Sequence, residues 1–168
     1  MSHDSMTRPG SAPSSPPGAP GQRVIESLSE AECLRMLSAG RVGRLAYTGR
    51  EGPTVLPVEY RLHEGSVIFH TLQGTFTEDD LRTGIAHADY QVAFEVDQID
   101  PVAQWGWAVL VVGSAHHVDG EAEHASIIDA GADPWPGADT THLIRVQPRY
   151  IRGRRSYPRP MPDIPAET

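Results

Sequence analysis

The chain has 168 residues, 39% of them apolar, a formal charge of −8 and a single cysteine, Cys33. That length supports one closed hydrophobic core. The acidic balance argues against a general nucleic-acid binder, which needs a basic face for phosphate, and a lone cysteine excludes an internal disulfide.

Residues 1–22 hold five prolines among Ser and Gly, with few apolar side chains. Such a segment cannot offset the entropy of ordering and is read as disordered. The opening MSHDSMTRPG lacks the basic and apolar regions of a signal peptide, and no stretch approaches the ~20 apolar residues of a membrane span. A soluble, cytoplasmic protein is expected, with one domain over residues 23–155 and a second disordered, Pro-rich segment over 156–168.

The domain is expected to open with a helix. Ser29 and Glu32 have the spacing of a capping box, Cys33, Leu34, Met36 and Leu37 follow at helical spacing, and Gly40 is a natural stop. From Val42 the period changes to two, giving a strand through Thr48, a turn at Gly49–Gly52, a second strand over Thr54–Arg61 and a third over Val67–Leu72. Pro57 interrupts the second strand, marking an edge, a bulge or the approach of a ligand. Glu78, Asp79 and Asp80 fit the first turn of a short helix. Strands follow at Gln91–Asp97, at Gly106–Val118 with a bend at Gly113, and at His142–Ile151 with Pro148 inside it. A short helix over 120–131 and the loop DPWPGAD separate the last two. Six strands with two or three short helices predict a mainly β fold, a small antiparallel barrel closed to remove its edges.

The stretch LSEAECLRMLSAGRVGRLAYTGREGPTVLPVEYRLHEGSVIFHTLQGT, followed in order by VAFEVDQID, GWAVLVVGSAHHV and IRGRR, resembles the pyridoxamine 5′-phosphate oxidase-like family of FMN-binding split barrels. The similar branch is that of small actinobacterial flavoproteins related to nitroimidazole-resistance proteins. The resemblance covers residues 24–155 and implies a six-stranded antiparallel split barrel. It also implies a homodimer with FMN in grooves at the subunit interface, an oxidoreductase activity on a small-molecule substrate, and no nucleic-acid or membrane partner. Deazaflavin coenzymes are used on the same fold.

By that resemblance the second strand from Val55 through Leu56, Pro57 and Val58 to Glu59 lies beside the isoalloxazine ring and offers backbone groups to its polar edge. His70, Thr71, Gly74, Thr75 and Phe76 fall where relatives hold the phosphate and ribityl chain. Trp107 lies near the site, and Arg152 and Arg154 approach from the last strand. Three positions depart from the family. Relatives commonly have Arg at the position of His70, Lys at that of Phe76 and Ser at that of Ala108. Two lost cations, at roughly 1.5–3 kcal/mol for each charged hydrogen bond, weaken FMN by about two orders of magnitude, and Glu78, Asp79 and Asp80 are expected to repel a nearby phosphate. A degenerate groove that binds a ligand without catalysis is therefore the alternative to a flavin enzyme. Turnover of pyridoxamine 5′-phosphate is not expected, because the C-terminal Arg-x-His signature is absent.

The residues also admit plainer readings. Thr71 to Thr75 can be an ordinary strand end and turn. His116 and His117 point to opposite faces of a strand and suit no shared metal, and no metal site is expected. Glu95 and Asp97 read as a solvated outer face rather than an acid–base pair. The six arginines from Arg145 to Arg159 (145, 149, 152, 154, 155 and 159) either pair with acidic side chains or capture a phosphate. Cys33 reads as a buried helix residue.

Overall fold

The structure, a computed structural model, describes residues 23–81, 90–134 and 141–159. The segments 1–22 and 160–168, read from sequence as disordered, lie outside it, as do residues 135–140 of the DPWPGAD loop. Ten elements follow in order: β1 (Arg23–Leu28), α1 (Glu30–Ala39), β2 (Val42–Gly49), β3 (Gly52–His63), β4 (Ser66–Leu72), α2 (Phe76–Leu81), β5 (Tyr90–Asp100), β6 (Trp105–His117), α3 (Glu121–Asp129) and β7 (Thr141–Pro158). None of the described helices is long and apolar enough to cross a membrane.

All strand pairings are antiparallel, in the order β1-β7-β4-β3-β2-β5-β6, with β6 returning to β7. Six strands, β2 to β7, thus close the expected mainly β barrel. The seventh, β1, precedes the helix with which the domain was expected to open. It pairs residue by residue with Gly153–Pro158, so β7 continues three residues into the segment read from sequence as a tail. Glu26 fastens this addition: it accepts hydrogen bonds from Tyr157 Oη at 2.5 Å and Arg155 Nε at 2.7 Å.

The barrel interior follows from alternation. Leu45, Tyr47, Val58, Tyr60, Phe69, Phe94, Val109 and Val111 are buried in one cluster, with Cys33 and Leu37 of α1 packed against them. β4 is buried on both faces, since Ile68 joins a second cluster with Val118, Ile127, Ala132 and Leu143 under α3. This explains its unbroken apolar run, which lacks the alternation of a half-exposed strand. Fully burying Ile127 contributes roughly 1.5–3 kcal/mol to holding α3 there. The capping box at Ser29 and Glu32 is formed as expected. Gly40 ends α1 with an ordinary extended φ of −78°, so no left-handed turn demands the glycine. Close approach does: a Cβ there would stand 2.3 Å from Tyr60 Oη. The expected bend at Gly113 is a shift of register against β7 at the Val112/Gly113 step, opposite Pro148.

Candidate functional site in the split of the barrel

β3 and β4 pair only through Tyr60–His63 and Ser66–Phe69. Beyond that point they part. Gly52–Glu59 stays with β2, while His70–Leu72 stays with β7. The opening holds a cavity of about 320 Å³, within the size range of small-molecule sites. Leu56, Pro57, Val58 and Glu59 line it from β3, His70, Thr71 and Leu72 from β4, with Val42, Thr75 and Thr77 completing the wall.

The place of Pro57 follows from the ladder. Tyr60 donates its backbone N–H to Arg41, so even-numbered residues of β3 face β2 and odd-numbered ones face the split, with no shift in register between. Pro57 therefore removes no β2–β3 hydrogen bond, and its carbonyl points toward the cavity side. Of the readings open for it, it sits at an edge that is also a cavity wall.

Thr71 is 5% exposed, and its Oγ1 has no hydrogen-bond partner among the described residues. A buried hydroxyl left unsatisfied costs about 1–3 kcal/mol, so the atom suits a ligand that completes it. Phe69 and Thr71 share one face of β4, and Ile68 and His70 the other, beneath α3 and the segment after it. There His70 Nε2 meets Asp133 Oδ1 at 2.6 Å, with both side chains at most 10% exposed. The imidazole expected beside a phosphate is thus held by a carboxylate.

Asp79 and Asp80 of α2 share an arginine. Arg50, in the β2–β3 turn, donates from Nε to Asp80 Oδ1 at 3.0 Å and from Nη2 to Asp79 Oδ2 at 3.3 Å. These hydrogen bonds raise the Arg50 pKa, that to Asp80 most. Tyr47 O–H donates to Thr77 Oγ1 at 3.1 Å in the same contact region.

Seven of the thirteen positions singled out from sequence line the cavity together: Leu56, Pro57, Val58, Glu59, His70, Thr71 and Thr75. Val55 is 65% exposed on the outer face, Gly74 occupies a left-handed turn at φ 76°, and Phe76 begins α2. Trp107 donates from Nε1 to Gln98 Oε1 at 3.3 Å and packs on the barrel core outside the cavity. Arg152 and Arg154 lie exposed on the outer face of β7. The row Pro57–Arg44–Glu95–Leu110–Arg152 runs across five paired strands, so Arg152 stands roughly 19 Å from Pro57 along the sheet at ~4.8 Å per strand. Of the other basic residues of β7, Arg145 pairs with Glu123 and Glu64, and Arg155 with Glu26 and Glu32. Glu95 and Asp97 share Arg44 on the outer face. No group of three or more potential metal ligands occurs among the described residues.

Val42, Leu72 and Thr77 were not singled out from sequence, whereas Glu59 ends the strand segment expected beside the ring. Leu72 adjoins a position that was, but only the divergence of β3 and β4 makes it a wall of the cavity. Val42 had a signal in its register, being paired with Glu59.

The sequence profile of the family described as pyridoxamine 5′-phosphate oxidase matches residues 29–155. The chain belongs to that family. A similar curated protein, the uncharacterised protein Rv0080 of Mycobacterium tuberculosis, is 29% identical over 147 residues, covering 88% of this chain and 93% of its own. Among solved structures, the FAD-binding protein of Mycobacterium smegmatis is 32% identical with a TM-score of 0.64, covering 77% of this chain and 98% of its own. A FAD-binding protein of Mesorhizobium loti shares the fold at 22% identity and a TM-score of 0.62, over 80% of this chain and 98% of its own.

Proposed function

We propose that this family member is a flavin-dependent oxidoreductase that seats FMN in the split between β3 and β4, as a homodimer. The observation that carries the reading is the buried, unsatisfied Thr71 hydroxyl on the wall of an otherwise largely apolar cavity. The FAD-binding relative at 32% identity supports it.

A bound flavin supplies the electron transfer itself. Leu56, Val58, Val42 and Leu72 offer an apolar wall for the ring and exclude water from it. The odd-numbered backbone groups of β3 face its polar edge. Thr71, Thr75 and Thr77 offer hydroxyls to the ribityl chain and phosphate. Arg152, roughly 19 Å across the sheet from Pro57, would serve a flavin held by a second copy. The apolar Val42, Val55, Leu110 and Tyr150, all more than a third exposed, support an interface on that outer face.

Titration of the purified protein with FMN, FAD and a deazaflavin, followed by flavin fluorescence, tests this reading. Saturable binding of FMN is expected. Binding of the deazaflavin alone would make the coenzyme a deazaflavin, and binding of none would remove the flavin.

A second reading, ligand binding without catalysis, has its own support. Glu59 is the only carboxylate, and no Lys or Arg appears, among the described residues lining the cavity, and His70 is taken by Asp133. A thermal-shift screen separates the two readings, since stabilisation by FMN but by no other compound contradicts the second.

A further inference from the structure

Asp79 and Asp80 follow Thr77 by two and three residues, within about one helical turn, ~5.4 Å along the axis. Thr77 lines the cavity. Two carboxylates so close to the wall lie within a Debye length of about 8–10 Å of an anionic group bound there, and left alone they would disfavour it. They are not alone. Arg50 reaches across from the β2–β3 turn and takes one oxygen of each, and its own backbone N–H lies 3.4 Å from Asp80 Oδ1. The Asp80 carboxylate is only 10% exposed and lies against Gly49, whose added Cβ would stand 2.1 Å from Asp80 Oδ2. The contact is therefore built into the turn, and the arginine cannot be exchanged for solvent at Asp80 without exposing a packed carboxylate.

We propose that Arg50 is a positioning residue that sets ligand class: by compensating Asp79 and Asp80 it lets the cavity accept a ligand carrying an anionic group. The inference rests on the flavin reading above and adds the residue that makes a phosphorylated flavin tolerable where no Lys or Arg lines the described cavity wall. Arg50 acts through the two aspartates and touches no ligand itself.

FMN and riboflavin differ only in the phosphate, so the ratio of their affinities reads the charge effect apart from the fit of the ring. Both are titrated, by fluorescence, into the full-length chain and into Arg50→Gln, Arg50→Lys and the triple variant Arg50→Gln/Asp79→Asn/Asp80→Asn. Arg50→Gln is expected to weaken FMN by about 3–10-fold and riboflavin by less than about 2-fold, with the difference shrinking at high salt. Arg50→Lys keeps most of the FMN affinity, and the triple variant restores it. The last result distinguishes charge compensation from a mere clamp, since neutralising the aspartates does not rebuild the lost contacts. Equal loss of both flavins in Arg50→Gln, or no recovery in the triple variant, overturns the inference and leaves the flavin reading standing. If the unaltered chain binds neither flavin, the flavin reading falls and takes the inference with it. Should Arg50→Gln fail to fold by circular dichroism, Arg50→Lys against the triple variant carries the comparison: a lysine variant with FMN weakened as much as riboflavin contradicts the proposal.

Discussion

The phenolic hydroxyl of Tyr60 donates to the backbone carbonyl of Leu37 at 2.6 Å, tying the end of α1 to the strand that forms one side of the cavity. Leu37 O also accepts the Gly40 N–H at 3.2 Å, so Tyr60→Phe leaves that carbonyl satisfied. A loss of about 0.5–1.5 kcal/mol is expected in urea unfolding. The variant also probes alkaline stability. Burial pushes the Tyr60 pKa up from 10.0 to about 12. The unfolded chain therefore releases this proton first, and stability falls as pH rises from 10 toward 12. Tyr60→Phe should flatten that part of the curve, and an unchanged alkaline slope would contradict the assignment.

Gly40 and Tyr60 should be coupled. Gly40→Ala places a methyl 2.3 Å from Tyr60 Oη, whereas the nearest ring carbon is 3.3 Å away. Alone it is expected to cost about 1–3 kcal/mol by overpacking. Combined with Tyr60→Phe, the loss should be clearly smaller than the sum, measured as a double-mutant cycle in denaturant. Strict additivity would mean that the glycine is there for another reason.

The orphaned hydroxyl of Thr71 separates binding from stability. Thr71→Val removes the polar atom with little change in shape. The ligand-free protein should melt at the same temperature or higher, because a buried unsatisfied group is gone. FMN affinity should fall about 5–10-fold, the equivalent of ~1–1.5 kcal/mol, while Thr71→Ser retains most of it. Equal FMN affinity in the threonine and valine proteins would place the hydroxyl outside the flavin site.

At the far end of the barrel, Glu26 titrates below the usual carboxylate range, chiefly through the hydrogen bond from Tyr157 and then that from Arg155. A carboxyl whose pKa is depressed on folding adds stability above its unfolded value and loses it as pH falls through the folded one. Glu26→Gln should therefore speed hydrogen exchange in Arg23–Leu28 at neutral pH, with the difference from the unaltered chain vanishing in acid. A difference that persists in acid would assign it to shape rather than charge.

Period-two alternation makes β2, β3, β5 and β6 legible in the sequence, and Ser29 with Glu32 makes α1 so. β1 is not legible: Arg23, Ile25 and Ser27 are exposed, and what orders the strand is its pairing with Gly153–Pro158, more than a hundred residues away. The same distance hides the continuation of β7 through Ser156, Tyr157 and Pro158, whose composition resembles the tail that follows. Half of the site was within reach, because Leu56, Pro57, Thr71 and Thr75 sit on two segments that the family resemblance marks. The partners that alter its chemistry were not. Asp133 lies 63 residues from His70, and Arg50 lies about 30 from Asp79 and Asp80. Only the closed barrel brings each to its partner, and both change the charge balance that the sequence alone implies.

The central claim, a flavin seated in the split of the barrel, is tested most directly by the visible absorbance spectrum of the purified protein before and after addition of FMN and passage over a desalting column. A yellow protein retaining the flavin band in near-stoichiometric amount is the expected result. A protein that stays colourless after both steps contradicts the account.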